Sequence, residues 1–243
     1  MLWPQGSGNM RVEVEQLTKR YGESFALNIP ALNIRSGETF GLVGNNGAGK
    51  TTFLRLLLDL LGADTGTISL GSWIVSQTDD WKSHIGSYLD ESFLLDYLTP
   101  LEFFSFVGSL YGLSKSETVE KVEAYRDFLP PNALDQSSKY IRDLSTGNAK
   151  KVGIVAALFV EPEIVILDEP FANLDPRSQI TLKKLLQQVN SSKGSTLLIS
   201  SHDLAHVTEI CKRIAVLERG QIAQEIQTSD ETLQELETYF ATQ

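Results

Sequence analysis

Cysteine is almost absent from this 243-residue chain: Cys211 stands alone, so no internal disulfide can form and no Cys-x-x-Cys or Cys/His cluster is available for zinc. A chain of this kind suits a reducing compartment. Long apolar runs are missing too. The longest, Val152 to Val160 counting Gly153, is far shorter than the ~18 residues a membrane span needs, so the chain is not expected to cross a bilayer. Basic charge is scarce: 21 Lys and Arg stand against 31 Asp and Glu, a net charge of −10 and the wrong sign for tracking nucleic-acid phosphates. Residues 1–9 lack the basic start and apolar stretch of a signal peptide and read as a tail, native or appended, with Met10 as an alternative start.

The remainder has an ordinary globular composition, 42% hydrophobic and 21% charged, too apolar for intrinsic disorder. Apolar residues alternate from Arg11 to Leu17 and from Phe25 to Ile34, which predicts short antiparallel strands. Thr39–Val43 is an apolar strand that runs into a glycine-rich loop, and Thr52–Leu61 has the length and leucine content of a helix. Residues 85–145, rich in helix formers and aromatics and punctuated by Pro100, Gly112 and Pro130-Pro131, predict an inserted helical subdomain. A helical run over 147–160, a buried strand over 164–167, an amphipathic helix near 177–189 and an apolar strand over 196–200 follow. Such alternation implies a mostly parallel sheet with helices on both faces. A hairpin about Arg219-Gly220 and a polar helix over 231–240 close the chain, giving one domain over 10–243 whose core takes 10–84 and 146–243.

Between strand and helix, Gly44-Asn45-Asn46-Gly47-Ala48-Gly49-Lys50-Thr51 satisfies G-x-x-x-x-G-K-[ST] in the context where that motif works. Glycines let backbone N–H groups wrap phosphates, and the helix N-terminus adds partial positive charge. Lys50 is expected to reach the β and γ phosphates, the Thr51 hydroxyl to ligate magnesium, and Thr52 to join the nucleotide contacts. Further on, Ile164-Val165-Ile166-Leu167-Asp168-Glu169 runs four apolar residues into two acids, as in a buried strand whose carboxyl end faces a nucleotide. Asp168 is expected to hold hydrated magnesium, and Glu169 to accept a proton from the water attacking the γ phosphate.

With these two motifs in hand, the chain resembles the nucleotide-binding subunit of an ATP-binding cassette (ABC) transporter from Met10 onward: a P-loop NTPase core, an antiparallel β subdomain and an inserted helical subdomain. Leu144-Ser145-Thr146-Gly147-Asn148 resembles the family signature Leu-Ser-Gly-Gly-Gln, departing from it at Thr146 and Asn148. The resemblance implies that Ser145 and Gly147 contact the γ phosphate held by a second subunit. Asn173-Leu174-Asp175-Pro176 resembles the D-loop that passes between the two sites, and Ser200-Ser201-His202-Asp203 the switch segment whose His202 bonds the γ phosphate. Tyr21 takes the place of the aromatic that stacks on adenine. His84 and His206 receive no role.

At the Q-loop the family places a metal-contacting glutamine, and here Ile85-Gly86-Ser87-Tyr88-Leu89-Asp90-Glu91 offers only carboxylates, Glu91 or, ungapped, Asp90. A carboxylate still suits magnesium but adds negative charge beside the phosphates. Just beyond, Phe93 to Phe104 forms an apolar cluster, read mainly as subdomain core and otherwise as a groove for a partner's helix. The resemblance therefore implies an ATPase that dimerises, as homodimer or heterodimer, around two ATP and Mg²⁺ and drives separate membrane-spanning subunits from the inner face of the cell membrane, without nucleic acid. Its flavour is closer to ABC-2-type exporters than to importers. The alternative, a cassette ATPase of DNA repair or translation with no membrane partner, finds no long coiled-coil insertion and no second cassette in this sequence.

Replacing Tyr21 with Ala should weaken ATP binding tenfold or less, since stacking a base on a ring contributes about 1–3 kcal/mol. Titration with a fluorescent ATP analogue reads this, and complete loss of binding would point to a folding defect instead.

Overall fold

The computed structural model describes residues 10–22, 24–135 and 139–242; the expected tail over 1–9 lies outside them. Its centre is a six-stranded sheet, in the order β10-β9-β3-β8-β7-β6. The strands are β3 (Thr39–Val43), β6 (Ile85–Tyr88), β7 (Ile164–Asp168), β8 (Thr196–Ser201), β9 (Arg213–Glu218) and β10 (Gln221–Gln227). All pairings are parallel except the β9-β10 hairpin.

The near-continuous apolar runs of these strands arise because both faces are covered. In β7, Ile164 and Ile166 enter one core while Val165 and Leu167 enter the other. Leu198 of β8 and Ala215 and Leu217 of β9 share the first core; Leu197, Ile199, Ile214 and Val216 share the second. The first core is closed by α1 (Lys50–Leu57) and by an antiparallel four-stranded sheet, in the order β2-β1-β4-β5, made of β1 (Val12–Tyr21), β2 (Ser24–Ile34), β4 (Thr65–Leu70) and β5 (Trp73–Ile74). The second is closed by α2 (Pro100–Leu110), α3 (Lys115–Glu123), α4 (Thr146–Leu158), α5 (Pro176–Lys193), α6 (Leu204–Ile210) and α7 (Thr232–Ala241). Arg213 ties the two sheets together, donating from Nε to Glu38 at 2.7 Å and from its second terminal nitrogen to the Asn33 carbonyl at 2.5 Å.

Two sequence expectations change. The first helix stops at Leu57, four residues before the expected Leu61, and Asp59 beyond it takes a left-handed φ of 54°. The expected helical segment 85–145 begins with a strand: β6 is the edge of the main sheet, paired with β7 from Ile85↔Ile164 to Tyr88↔Leu167. Four residues including Gly86 and Ser87 carry too little β signal alone, and only pairing with β7 makes them a strand. Three elements also carry no sequence expectation, β4, β5 and α6. Thr99 with Glu102 and Ser114 with Glu117 form capping boxes that fix the starts of α2 and α3.

Contact between α4 and β6 positions the site, because it is made by glycines. A Cβ on Gly86 would lie 1.8 Å from the Ala157 carbonyl oxygen, and one on Gly153 would lie 2.4 Å from Tyr88 ring carbons. Gly86→Ala should therefore force backbone apart and destabilise the fold by about 2 kcal/mol or more. Urea denaturation checks this, and an unchanged midpoint would contradict the close approach.

Candidate functional site

The loop from Gly44 to Gly49 turns tightly because Gly47 and Gly49 adopt φ of 82° and 111°, a region that side chains rarely enter. Gly44 is hemmed in: a Cβ there would lie 2.3 Å from the Leu217 carbonyl oxygen. Bonds from Ala48 N–H to the Asn45 carbonyl at 3.1 Å and from Gly220 N–H to the Ala48 carbonyl at 2.8 Å brace the loop. Gly49 caps α1 without any side-chain bond, so the free N–H groups of the first turn open into the loop. Lys50 opens the helix, buried at 6% exposure. Its ammonium folds back to donate to the Gly44 carbonyl at 2.7 Å and sits 3.5 Å from the Glu169 carboxylate.

Asp168 ends β7, 6% exposed, and both its oxygens accept hydroxyl protons: Thr51 Oγ1 donates to Oδ2 at 2.7 Å, and Ser200 donates to Oδ1. Glu169 follows with a left-handed φ of 47°. Such backbone costs a non-glycine residue on the order of 1–3 kcal/mol and persists only where surroundings impose it. The Glu169 N–H donates to the Ser200 carbonyl at 3.2 Å and to Ser200 Oγ at 3.1 Å, while Lys150 Nζ donates to the Glu169 carbonyl at 3.1 Å. The turn aims the carboxylate back across the loop, where it meets Lys50, the Ser201 hydroxyl at 3.4 Å and His202 Nδ1 at 2.8 Å. Glu169, Lys50 and His202 thus form one polar cluster at the carboxyl edge of the parallel sheet, where α/β folds place ligands.

The donor set suits magnesium. Thr51 and Asp168 present hard oxygens side by side, and no group of three or more His, Cys, Asp or Glu gathers for a metal among the described residues. That combination fits a cation that keeps much of its water and takes its remaining oxygens from phosphate.

Tyr21, 55% exposed, borders an open cleft with Asn46, Gly47, Gly49, Lys50, Thr51, Thr52 and Glu169, and Arg219 and Gly220 complete its rim. Ser145, Gly147 and Asp175 do not lie there. They line a second cleft with Thr146, Asn148, Lys151, Asn173 and Leu174, and the two clefts share no residue. Gly147 is required in it, since a Cβ would lie 2.7 Å from the Asn173 carbonyl oxygen. Ser145 caps α4 and Asp175 caps α5, accepting from Ser178 N–H at 3.0 Å. Hydrogen bonds from Ser178, aided by Lys151, hold the Asp175 carboxyl down at about 2.

At the Q-loop position the two acids differ. Asp90 faces outward, capping the turn at Ser92 N–H at 2.8 Å and standing 3.8 Å from Arg55, whereas Glu91 keeps one carboxylate oxygen buried with no hydrogen-bond partner. His84 pairs with Glu163 at 2.7 Å and packs on Trp73, and His206 packs on Phe171; neither lines the loop cleft. Three contributors escaped sequence reasoning: Ser200, Arg219 and Lys150. Lys150 had a signal, since a charged residue in an otherwise apolar helical stretch must find a partner. Burial lowers its pKa, opposed by the charges of Glu91, Glu169 and Asp168.

The protein family described as ABC transporter matches residues 27–172. The chain belongs to this family. It is 34% identical to an uncharacterized ABC transporter ATP-binding protein of Synechocystis sp., over 87% of this chain and 61% of the relative, and 33% identical to the bacitracin transport ATP-binding protein BcrA of Enterococcus faecalis, over 90% and 70%. The chain therefore spans about two thirds of the length of these two ABC transporter relatives. A solved ATP binding subunit of an ABC transporter is 26% identical and superposes with a TM-score of 0.82, covering 95% of this chain and 98% of the other. The expected cassette fold, a P-loop NTPase core with an antiparallel β arm, holds.

Glu169→Gln should leave ATP binding intact and lower turnover by about 10²- to 10⁴-fold, the usual contribution of general acid–base catalysis. Phosphate release and equilibrium binding, measured on the same preparation, check both halves.

Proposed function

We propose that this ABC family chain is the ATP-hydrolysing subunit of a transporter, working as a head-to-tail dimer around two ATP·Mg²⁺ and driving separate membrane-spanning subunits. The observation that carries the reading is the joining of Lys50, Glu169 and His202 around one carboxylate, beside the Thr51–Asp168 pair. Backbone N–H groups of the loop take the phosphates, and the Lys50 ammonium turns from the Gly44 carbonyl to their oxygens. Thr51 and Asp168 would hold magnesium, whose charge would offset that of the phosphates. Glu169 accepts the proton of the attacking water while His202 steadies its carboxylate from the side opposite Lys50 and reaches the γ phosphate. Tyr21 borders the cleft where the base stacks, whereas Glu91 does not line it.

Support for the dimer comes from the second cleft. Ser145, Gly147 and Asp175 cannot complete the nucleotide site of their own chain, because they face a different opening. A second copy turned head to tail brings them to the γ phosphate, so that ATP closes the pair and hydrolysis reopens it.

Among the described residues no helix is long and apolar enough to cross a membrane, and the reading assigns transport to other chains. The apolar cluster of 93–104 divides as expected: Leu94, Phe103 and Phe104 are buried, while Phe93 and Tyr97 remain 48% and 58% exposed, with Phe106 and Leu110 nearby on α2. Those exposed rings support docking of a membrane partner, and with it a working position at the inner face of the cell membrane. The exporter subclass rests on the sequence resemblance to ABC-2-type subunits. Tagged Glu169→Gln protein captured with ATP from solubilised membranes of its source cell should co-purify, in stoichiometric amount, with a protein of several apolar spans. Recovery of ribosomal or DNA-repair proteins alone would replace transport with the other class of cassette ATPase.

A further inference from the structure

Helix α4 carries one ammonium group into its buried face. Lys150 is 5% exposed, in a helix whose other buried residues from Ala149 to Leu158 are all apolar or glycine. Such a placement is costly unless the charge is paired and hydrogen-bonded. Its hydrogen bond goes to the Glu169 carbonyl oxygen at 3.1 Å, the backbone of the strained turn that aims the Glu169 carboxylate. The Tyr88 ring centroid lies 5.9 Å away, and of the carboxylates that attract the ammonium Glu91 acts most strongly, ahead of Glu169 and Asp168. Beside it, Glu91 Oε1 and Tyr88 Oη are both buried and make no hydrogen bond.

Resting on the ATPase reading above, we propose that Lys150 is a positioning residue for hydrolysis: its ammonium holds the backbone of the Glu169 turn, and it depends on the negative charge of Glu91 to be held there itself. The side chain approaches the end of β6 at the Tyr88 ring and bonds the carbonyl of the catalytic glutamate. Lys150 does not itself line the loop cleft and reaches it only through the Glu169 carbonyl, so its loss should misplace the base without weakening the phosphate contacts. A misplacement of about 1 Å at a reacting group can cost about a hundredfold in rate.

The test is a double-variant cycle on full-length protein, with magnesium-dependent phosphate release and ATP binding measured for each form. Lys150→Gln should lower kcat by about 10- to 100-fold and change ATP affinity by less than about 3-fold. Glu91→Gln combined with Lys150→Gln removes both charges together and should restore at least about 10-fold of the lost kcat, a rescue that general packing damage would not produce. If Lys150→Gln does not fold, Glu91→Gln with Lys150→Met provides the uncharged pair, expected to fold and to exceed Lys150→Met alone in kcat. Unchanged kcat in Lys150→Gln overturns the positioning role, and a double variant no better than the single overturns the dependence on Glu91. Wild-type protein and Glu169→Gln run alongside: absence of hydrolysis in wild type would instead remove the ATPase reading itself.

Discussion

Everything at this site depends on how the Asp168 carboxylate is satisfied. A buried carboxylate without partners is among the least stable groups a protein can hold, and here both oxygens receive hydroxyl bonds, from Thr51 at the start of α1 and from Ser200 near the end of β8. Hydrogen bonds to charged groups contribute about 1.5–3 kcal/mol each, so the two donors are strongly selected over any other arrangement of these chain segments. Their geometry then fixes the remainder. Thr51 locks the phosphate loop to β7, and the next residue of Lys50-Thr51 on the amino side places its ammonium against Glu169. Ser200 locks β8 to β7, and the same serine accepts the Glu169 N–H, which imposes the left-handed turn. One carboxylate thereby positions a cation, a base and a histidine that arise from three separate segments of the chain.

The fold supports this by placing polar side chains only where a strand leaves the sheet. Through β7 and β8 the residues between Thr196 at the start of β8 and the polar carboxyl ends are apolar and divided between two cores, so those ends are the first points where a nucleotide could be met. Helix α4 reaches the same edge because Gly86 and Gly153 let helix and strand approach without side chains between them. Ser145 and Gly147 at its start and Lys150 one turn further on then serve different openings of one molecule, the second cleft and the back of the Glu169 turn.

Elements carried by strong local patterns were legible in the sequence. The strand–loop–helix about Gly44–Thr51, the strand ending in Asp168-Glu169 and the hairpin at Arg219-Gly220 all announce themselves through runs of apolar residues bounded by glycine or acid. What was not legible depends on pairing with distant chain. The strand Ile85–Tyr88 has little β propensity in its middle and exists because β7 lies alongside; β4 is held by β1 from Val12↔Leu70 to Thr18↔Thr65. The end of α1 was overrun because its leucines continue past Leu57, whereas the backbone turns left-handed at Asp59. In the site, motif spacing identified Lys50, Thr51, Asp168 and Glu169, but not that Glu169 would be aimed by a left-handed φ, nor that Ser200 and Lys150 would impose it. Those are properties of strand order: only when β8 lies beside β7 does Ser200 become a neighbour of both acids.

Charge balance around the nucleotide cleft explains why a carboxylate is tolerable at the Q-loop position. Asp168, Glu169 and Glu91 would by themselves repel the phosphates of a nucleotide, since like charges in a weakly solvated site interact far more strongly than in water. Lys50 on the cleft side and Lys150 on the helix side stand against them, one within 3.5 Å of the Glu169 carboxylate and the other bound to its carbonyl. A glutamine at position 91 would have left Lys150 with fewer opposing charges in a buried setting, so the acid and the buried lysine make physical sense together. Neither is interpretable alone: the carboxylate looks like a handicap for phosphate binding, and the lysine looks like a defect in an apolar helix.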